Sequence, residues 1–355
     1  MVKDRRRKVI DMLQTHGLDA MLFTDLTNIR YLTGFTGTDG ALILFEAAAL
    51  FLCDSRYTTQ AIEQVGGDVA EYKKKLPEIV DHLKQDEFIR VGFESSVVSC
   101  SEFNQLKQAG RADIEWIPIE DLSSLRLIKD EAEIALIEQA TLLSSQAFDD
   151  VLPMIRPGVS EAEIALALEI AIRKRGGEEK SFDFIVASGE RGALPHGVAS
   201  DKKIVSSDLV TIDFGGRYRG YYSDETVTCA VGEPDQKMRQ VYDIVLEAHD
   251  RALAQIKPGV PLKLIDAAAR DYINQSGYGD YFGHGLGHGV GLEVHESPRV
   301  SPLSKGLTEV GMVFTVEPGI YLPGQGGVRI EDMVMVTADG YRILTRLSKS
   351  FCRLN

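Results

Sequence analysis

Apolar positions in the first 122 residues recur in two rhythms. Val9, Ile10, Met12 and Leu13 fall at helical spacing and predict a helix over residues 4–16, ended by Gly17. Short apolar runs at residues 20–23, 42–45 and 50–53 predict strands, the last two bracketing a turn. Val91-Gly92-Phe93 and Trp116-Ile117-Pro118 read the same way. Between Asp54 and Val65 a helical pattern returns, with Asp54-Ser55 as its cap. Strands alternating with helices imply an α/β domain with a largely parallel or mixed sheet. This region holds no cluster of catalytic residue types, and no chemistry is assigned to it.

The texture changes over residues 123–129, so domains are drawn at 1–122 and 123–355. A long helix is predicted over 130–152, with Ile134, Leu136, Ile137, Ala140 and Leu143 on its apolar side. An internal repeat follows. Ile155-Arg156-Pro157-Gly158-Val159 opens a helical stretch that ends near Gly176-Gly177, and Ile256-Lys257-Pro258-Gly259-Val260 opens another ending near Gly277. Each is preceded by a long helix and followed by strand-like segments. The pattern predicts two similar helix–helix–strand halves about a pseudo-twofold axis, their strands forming one sheet, with a ligand cleft between the halves.

Composition adds little until charge is counted. With 39 basic and 53 acidic side chains the net charge is −14, which argues against a nucleic-acid surface. The run Arg5-Arg6-Arg7-Lys8 is the exception and reads as a solvated helix face. Cys53, Cys100, Cys229 and Cys352 lie far apart, with no C-x-x-C pair; they suit a reducing compartment rather than a zinc framework or a disulfide scaffold. No apolar segment spans a bilayer and no secretory signal pattern follows the basic start, so a cytoplasmic protein without a membrane partner is expected.

Residues 282–296 hold three of the seven histidines together with five glycines. His284 and His288 have the spacing of a helical metal pair, but glycine at alternate positions is costly in a helix and Gly285 stands where the base of H-E-x-x-H would be. The glycines instead predict a close-approach loop or bulge leading into a strand at 290–295, with residues 293 and 295 on one face. A tight turn with incidental histidines is the bland alternative.

Acids supply the discriminating pattern. If the hairpin after Ile212-Asp213-Phe214 pivots at Tyr218-Arg219, Asp213 lies directly opposite Asp224, at about 4.5–5.5 Å between Cβ atoms. Two carboxylates there, in apolar strand sequence, are destabilising unless a cation lies between them. Glu317 and Glu331 interrupt hydrophobic strands in the same way, on either side of a Pro/Gly-rich turn at 323–327. Singly, each reads equally well as a strand-end ion pair. Four carboxylates together match two divalent cations, and oxygen-rich ligation with one imidazole favours Mn²⁺, Co²⁺ or Fe²⁺ over structural Zn²⁺.

In those residues the chain resembles the proline peptidases of the pita-bread metallopeptidase family, M24, which includes prolidase and aminopeptidase P. The resemblance rests on Asp213, Asp224, H-G-L-G-H-G-V-G-L-E-V-H-E, V-E-P-G at Glu317 and V-R-I-E-D at Glu331. It extends to a creatinase-like N-terminal domain through Asn28-Ile29-Arg30-Tyr31-Leu32-Thr33-Gly34-Phe35, and Leu127-Ile128-Lys129-Asp130 resembles the usual start of the catalytic domain. It implies an α/β N-terminal domain followed by an α+β pita-bread domain with a pseudo-twofold repeat. By the same resemblance Asp213 and Asp224 hold metal, Asp224 and Glu331 bridging, with His288 and Glu317 on the second ion. His196 and His295 fall on the substrate side, His284 and Arg329 behind the ligands, and Arg299 at a position associated with a dipeptide carboxylate. Val227 departs from relatives that carry Arg there; no ligand is lost.

The resemblance thus implies hydrolysis of the Xaa-Pro bond in dipeptides, or at the N-terminus of short peptides, by a homodimer. Two ions make water nucleophilic near neutral pH, Glu317 shuttles the proton, and His196 or His295 donates to the developing oxyanion. A noncatalytic peptide-binding relative would be expected to have lost ligands, and a methionine aminopeptidase to lack the N-terminal domain. A serine or cysteine hydrolase ranks last: there is no G-x-S-x-G, and Cys229 has no neighbouring base.

Overall fold

The computed structural model describes residues 2–110 and 114–354, and the chain divides into two units, Met1–Arg126 and Leu127–Asn355. In the first unit, α1 (Val2–His16) stops at Gly17, whose φ of +62° suits a residue without Cβ. The elements β1 (Ala20–Phe23), α2 (Leu26–Thr33), β2 (Ala41–Phe45), β3 (Ala49–Cys53), α3 (Thr58–Gln64), β4 (Asp68–Glu71), α4 (Lys75–Gln85), β5 (Arg90–Glu94), α5 (Cys100–Ala109), β6 (Glu115–Ile119) and α6 (Ser123–Leu127) follow. The six strands form one mixed sheet in the order β4-β3-β2-β1-β5-β6, with β2 antiparallel to both neighbours and the other pairs parallel. All four β1 side chains are buried, which is why the strand reads as a run and not as an alternation.

Two local expectations fail here, one of them in part. Asp54-Ser55 does not cap α3, which begins after Tyr57 without a side-chain cap; Asp54 instead accepts from the Arg56 N–H and guanidinium. The basic run of α1 is a solvated face only in part: Arg7 and Lys8 are exposed, whereas Arg5 and Arg6 turn inward. Arg5 is buried and donates to the Tyr31 carbonyl, Arg6 donates to the carbonyls of Leu32 and Gly66, and Lys8 to that of Leu125. Tyr31 and Leu32 lie in the last turn of α2, where unpaired carbonyls attract cations.

The second unit opens on α7 (Glu131–Val151), started by a capping box between Asp130 and Glu133. The elements α8 (Glu161–Lys174), β7 (Glu179–Lys180), β8 (Ile185–Ser188), β9 (Leu209–Phe214), β10 (Gly216–Tyr218), β11 (Tyr221–Tyr222), β12 (Glu225–Val231) and α9 (Gln236–Leu253) come next. They are followed by α10 (Leu262–Gln275), β13 (Gly287–Gly289), β14 (Glu296–Val300), β15 (Val313–Val316), β16 (Gly319–Leu322), β17 (Gly326–Arg329), β18 (Asp332–Val336), β19 (Tyr341–Ile343) and β20 (Cys352–Leu354).

The repeat is real at the level of single hydrogen bonds. Gly158 donates to Ile204 O and Ile204 N to Val159 O; in the second half Gly259 donates to Thr308 O and Thr308 N to Val260 O. Both glycines have positive φ, +89° and +80°. The helices α7 and α8 pack on β8, β9 and β12, while α9 and α10 pack on β15 and β18. The halves do not share one hydrogen-bonded sheet, however. Their strands form a four-stranded sheet, β20-β12-β9-β8, and a five-stranded sheet, β14-β13-β15-β18-β19, with a three-stranded sheet, β11-β10-β7, and the hairpin β16-β17 separate. Pro318 and the β16-β17 hairpin interrupt the ladder; Thr228 Oγ1 donates to Arg329 O of that hairpin (2.8 Å), and Glu331 N, just before β18, donates to Thr226 O of β12 (3.2 Å).

Candidate metal centre

Asp213 is positioned by β9, but not opposite Asp224. The register places Asp213 against Thr226 and Phe214 against Glu225, with Tyr218 against Tyr221 at the hairpin end. The turn is Arg219-Gly220, whose φ values of +48° and +87° meet the requirement of a type I′ hairpin turn. That turn chemistry pivots the hairpin one residue later than expected and moves each partner by two. Asp224 falls in the gap between β11 and β12 and is buried.

The glycine-rich stretch is also rearranged. The strand is the glycine segment itself, β13, and residues 290–295 form a bent loop rather than the predicted strand, so 293 and 295 share no strand face. A Cβ on Gly287 would lie 1.9 Å from Thr315 O, and one on Gly289 2.1 Å from Ser297 O, so neighbouring backbone on both sides excludes any side chain. A bulge between His288 and Gly289 breaks the pairing to β14, as the glycines suggested. His284 and His288 are accordingly not on a helix.

Four of the five acids and imidazoles expected to hold metal sit at breaks or ends of strands: Asp224 before β12, Glu317 after β15, Glu331 before β18, and His288 beside the bulge. Asp224, His288 and Glu331 each offer a ligand atom within 4.8 Å of the other two. His288 Nε2 lies 3.3 Å from Glu317 Oε1 and 3.7 Å from Asp224 Oδ2. Asp213 stands against Arg329, whose Nη2 donates to Oδ2 at 2.6 Å. Its Oδ1 is buried with no hydrogen-bond partner among the described residues.

Burial, then repulsion from Glu331, Asp213 and Glu317, drives the Asp224 carboxyl well above the usual range. Glu331 is raised by burial, Glu317 and Asp213, and Glu317 is pushed up to about 8, chiefly by burial. Burial, with a contribution from His295, lowers His288 to about 4, so its ring is neutral at pH 7. A carbonyl only accepts, so the contact of Nδ1 with Gly289 O (3.1 Å) puts the proton on Nδ1. The bare Nε2 lone pair then faces carboxylate oxygens. Against ionised carboxylates that lone pair is repelled, and a divalent cation is the species that both keeps the acids ionised and turns the arrangement attractive. The residues present fit such an ion.

Behind the acids runs a buried chain of hydrogen bonds. Arg329 Nη1 donates to Tyr321 Oη (3.0 Å), and Tyr321 Oη lies 2.9 Å from His284 Nε2. Since His284 Nδ1 contacts Gly285 O at 2.8 Å, Nδ1 carries the proton and the tyrosine donates to Nε2. Burial lowers His284 to about 4 and keeps it neutral. Arg329 Nε also donates to Thr226 Oγ1 (3.2 Å), which donates to Glu331 Oε2 (2.7 Å). No role is legible in the sequence for Tyr321 and Thr226; both sit in strand patterns where a buried hydroxyl looks like packing.

The remaining predicted residues are exposed. His295 stacks obliquely on His288, ring centroids 4.3 Å apart. Burial lowers the pKa of the His295 ring, with Asp213 opposing and His196 and Arg299 adding to the shift. Arg299 lies opposite His288 in the β13–β14 register and therefore on the same face. Glu296, beside His295, points inward to a buried ion pair with Lys129 (2.8 Å).

Residues 135–338 match the metallopeptidase family M24, and residues 5–128 match the creatinase/prolidase N-terminal domain. The chain is 39% identical over 360 residues to a Xaa-Pro dipeptidase of Pyrococcus horikoshii, covering 98% of this chain and 99% of the relative. A solved structure of a Xaa-Pro dipeptidase from Bacillus anthracis is 42% identical, with a TM-score of 0.97 and full coverage of both chains. An X-Pro aminopeptidase from Thermotoga maritima is 41% identical, with a TM-score of 0.91, covering 99% of this chain and 100% of the other. With its acid-and-imidazole cluster, its doubled helix–strand halves and these matches along the chain, the protein belongs to metallopeptidase family M24 and carries the creatinase/prolidase N-terminal domain.

Proposed function

We propose that this protein hydrolyses the Xaa-Pro bond, with Xaa-Pro dipeptides as its main substrates and Xaa-Pro aminopeptidase activity as the second reading. The observation that carries the reading is the unprotonated Nε2 of His288 among Asp224, Glu317 and Glu331, an arrangement that calls for a divalent cation. Asp213, Asp224, His288, Glu317 and Glu331 would hold two ions, with Mn²⁺ preferred because four of the five donors are carboxylates. When bound, these ions supply Lewis acidity and make water nucleophilic near neutral pH.

The chain's own residues do the rest. Glu317 in its ionised form accepts a proton from water and delivers it to the proline nitrogen as the C–N bond breaks. His196 or His295 donates to the carbonyl oxygen as it gains charge. The Xaa-Pro amide has no N–H to recognise, so the ring is selected by shape.

Arg299 favours the dipeptidase reading. It is an exposed guanidinium on the same face as His288, suited to the free carboxylate of a dipeptide. Relatives bearing both activity names lie at similar identity and do not decide between them. A Mn²⁺-loaded sample given a Xaa-Pro dipeptide and a Xaa-Pro-Yaa tripeptide makes the decision. Cleavage of the dipeptide alone, with a raised KM for it in Arg299→Ala, is the expected result; preference for the tripeptide selects the aminopeptidase. The four free cysteines fit a cytoplasmic enzyme, and we assign it the homodimeric state that the family resemblance implies.

A further inference from the structure

The loop that presents His196 is held by a buried acid outside the metal centre. Glu161, fully buried at the start of α8, accepts at Oε1 from the Ser188 N–H (2.8 Å) and hydroxyl (2.7 Å). At Oε2 it accepts from the Ser200 N–H (3.1 Å) and hydroxyl (2.7 Å). Ser188 ends β8, and Ser200 lies just beyond His196, so one carboxylate pins both ends of the loop. Arg191 reinforces the pin: its Nη1 is 3.4 Å from Glu161 Oε2 and its Nη2 donates to Val198 O at 2.8 Å. From the other side Arg329 Nη1 donates to Pro195 O (3.1 Å), tying the loop to the group that also holds Asp213.

The internal repeat supplies a control for what the fold itself requires. Ser160 bridges Lys203 and Glu161 N donates to Lys202 O (3.1 Å) in the first half. Pro261 bridges Leu307 and Leu262 N donates to Gly306 O (3.0 Å) in the second. Glu161 and Leu262 therefore occupy equivalent positions, and the second half is satisfied by a buried leucine. Burying an acid there is costlier than burying a leucine unless its hydrogen bonds are complete. The backbone arrangement does not need it; the loop of the first half does.

We propose that Glu161 is a positioning residue for the proposed reaction, fixing the loop so that His196 reaches the substrate carbonyl. The proposal rests on the substrate-side role of His196 given above. Misplacing one catalytic donor costs on the order of 10²-fold in rate, so Glu161→Gln is expected to lower kcat/KM for a Xaa-Pro dipeptide about 10- to 100-fold, mainly in kcat.

The test is a double-mutant cycle on the Mn²⁺-loaded full chain, with bound metal measured in each variant. Glu161→Gln is expected to retain its metal and to add almost nothing to the loss already caused by His196→Ala. Near-wild-type kcat in Glu161→Gln overturns the proposal, as does an undiminished loss in the His196→Ala background. If His196→Ala itself turns over normally, the substrate-side role of His196 is what falls. Should Glu161→Gln not fold, Ser200→Ala removes one donor from the same carboxylate and carries the same cycle, with non-additivity supporting the proposal and additivity overturning it.

Discussion

His288 shows how much chemistry one proton can settle. With that proton on Nδ1, the other nitrogen faces the carboxyl groups of Glu317 and Asp224, a pairing that a divalent cation makes attractive. Replacing one of the acids relieves part of their mutual repulsion even as it removes a ligand. Asp224→Asn and Glu331→Gln should therefore keep their fold, measured by circular dichroism, while metal content and hydrolysis fall to background. Near-normal turnover in either variant would count against their bridging roles. Tyr321 acts at one remove, between Arg329 and His284, and Tyr321→Phe should lower metal affinity or kcat by about 10-fold, in line with partners of metal-site residues elsewhere. A metal titration paired with steady-state kinetics measures both.

At the scale of elements, backbone approach decides what the glycines are for. An alanine at 287 would place its Cβ 1.9 Å from the Thr315 carbonyl, with no flexible side chain to give way. Gly287→Ala should cost about 3 kcal/mol or more by denaturant unfolding. Gly283→Ala, with nothing within 4 Å and no positive φ, should stay within about 0.5 kcal/mol. The same elements show what was legible in the chain. Residues 20–23 read as a strand because burial on both faces leaves an uninterrupted apolar run. The paired Pro-Gly openings of α8 and α10 exposed the repeat, because both halves need a positive-φ glycine at the same point. The hairpin register was not legible: it turns on Arg219 adopting a left-handed conformation, which nothing about arginine announces. The stretch 290–295 misled because its alternating apolar residues fit a strand, whereas the bulge at His288/Gly289 ends the ladder first. At the candidate site the acids could be read from their motifs. Glu161 and Tyr321 could not, since their roles arise from contacts with loops distant in sequence.

Across the molecule, buried ionisable groups tie stability to pH. In the first unit Glu94 is 1% exposed, and burial pushes its carboxyl up to about 7 against hydrogen bonds from Asn28 and the N–H groups of Asp25 and Thr24. A carboxyl that binds its proton more tightly when folded contributes most stability at low pH and loses it as pH rises. Stability from Glu94 should therefore decline between pH 4.5 and about 7, by up to about 3 kcal/mol. Glu94→Gln should flatten that part of the profile in thermal melts, and an unchanged slope would contradict the assignment.

In the second unit the acids around His288 make a stronger demand, since they are mutually repulsive at any pH where they are ionised. Elemental analysis of the active protein before and after chelation, with dipeptide hydrolysis measured on the same samples, tests that demand most directly. Two divalent ions per chain, lost together with activity and restored together by Mn²⁺, is the predicted result. A stripped sample that holds no divalent ion and still cleaves at the untreated rate would contradict it.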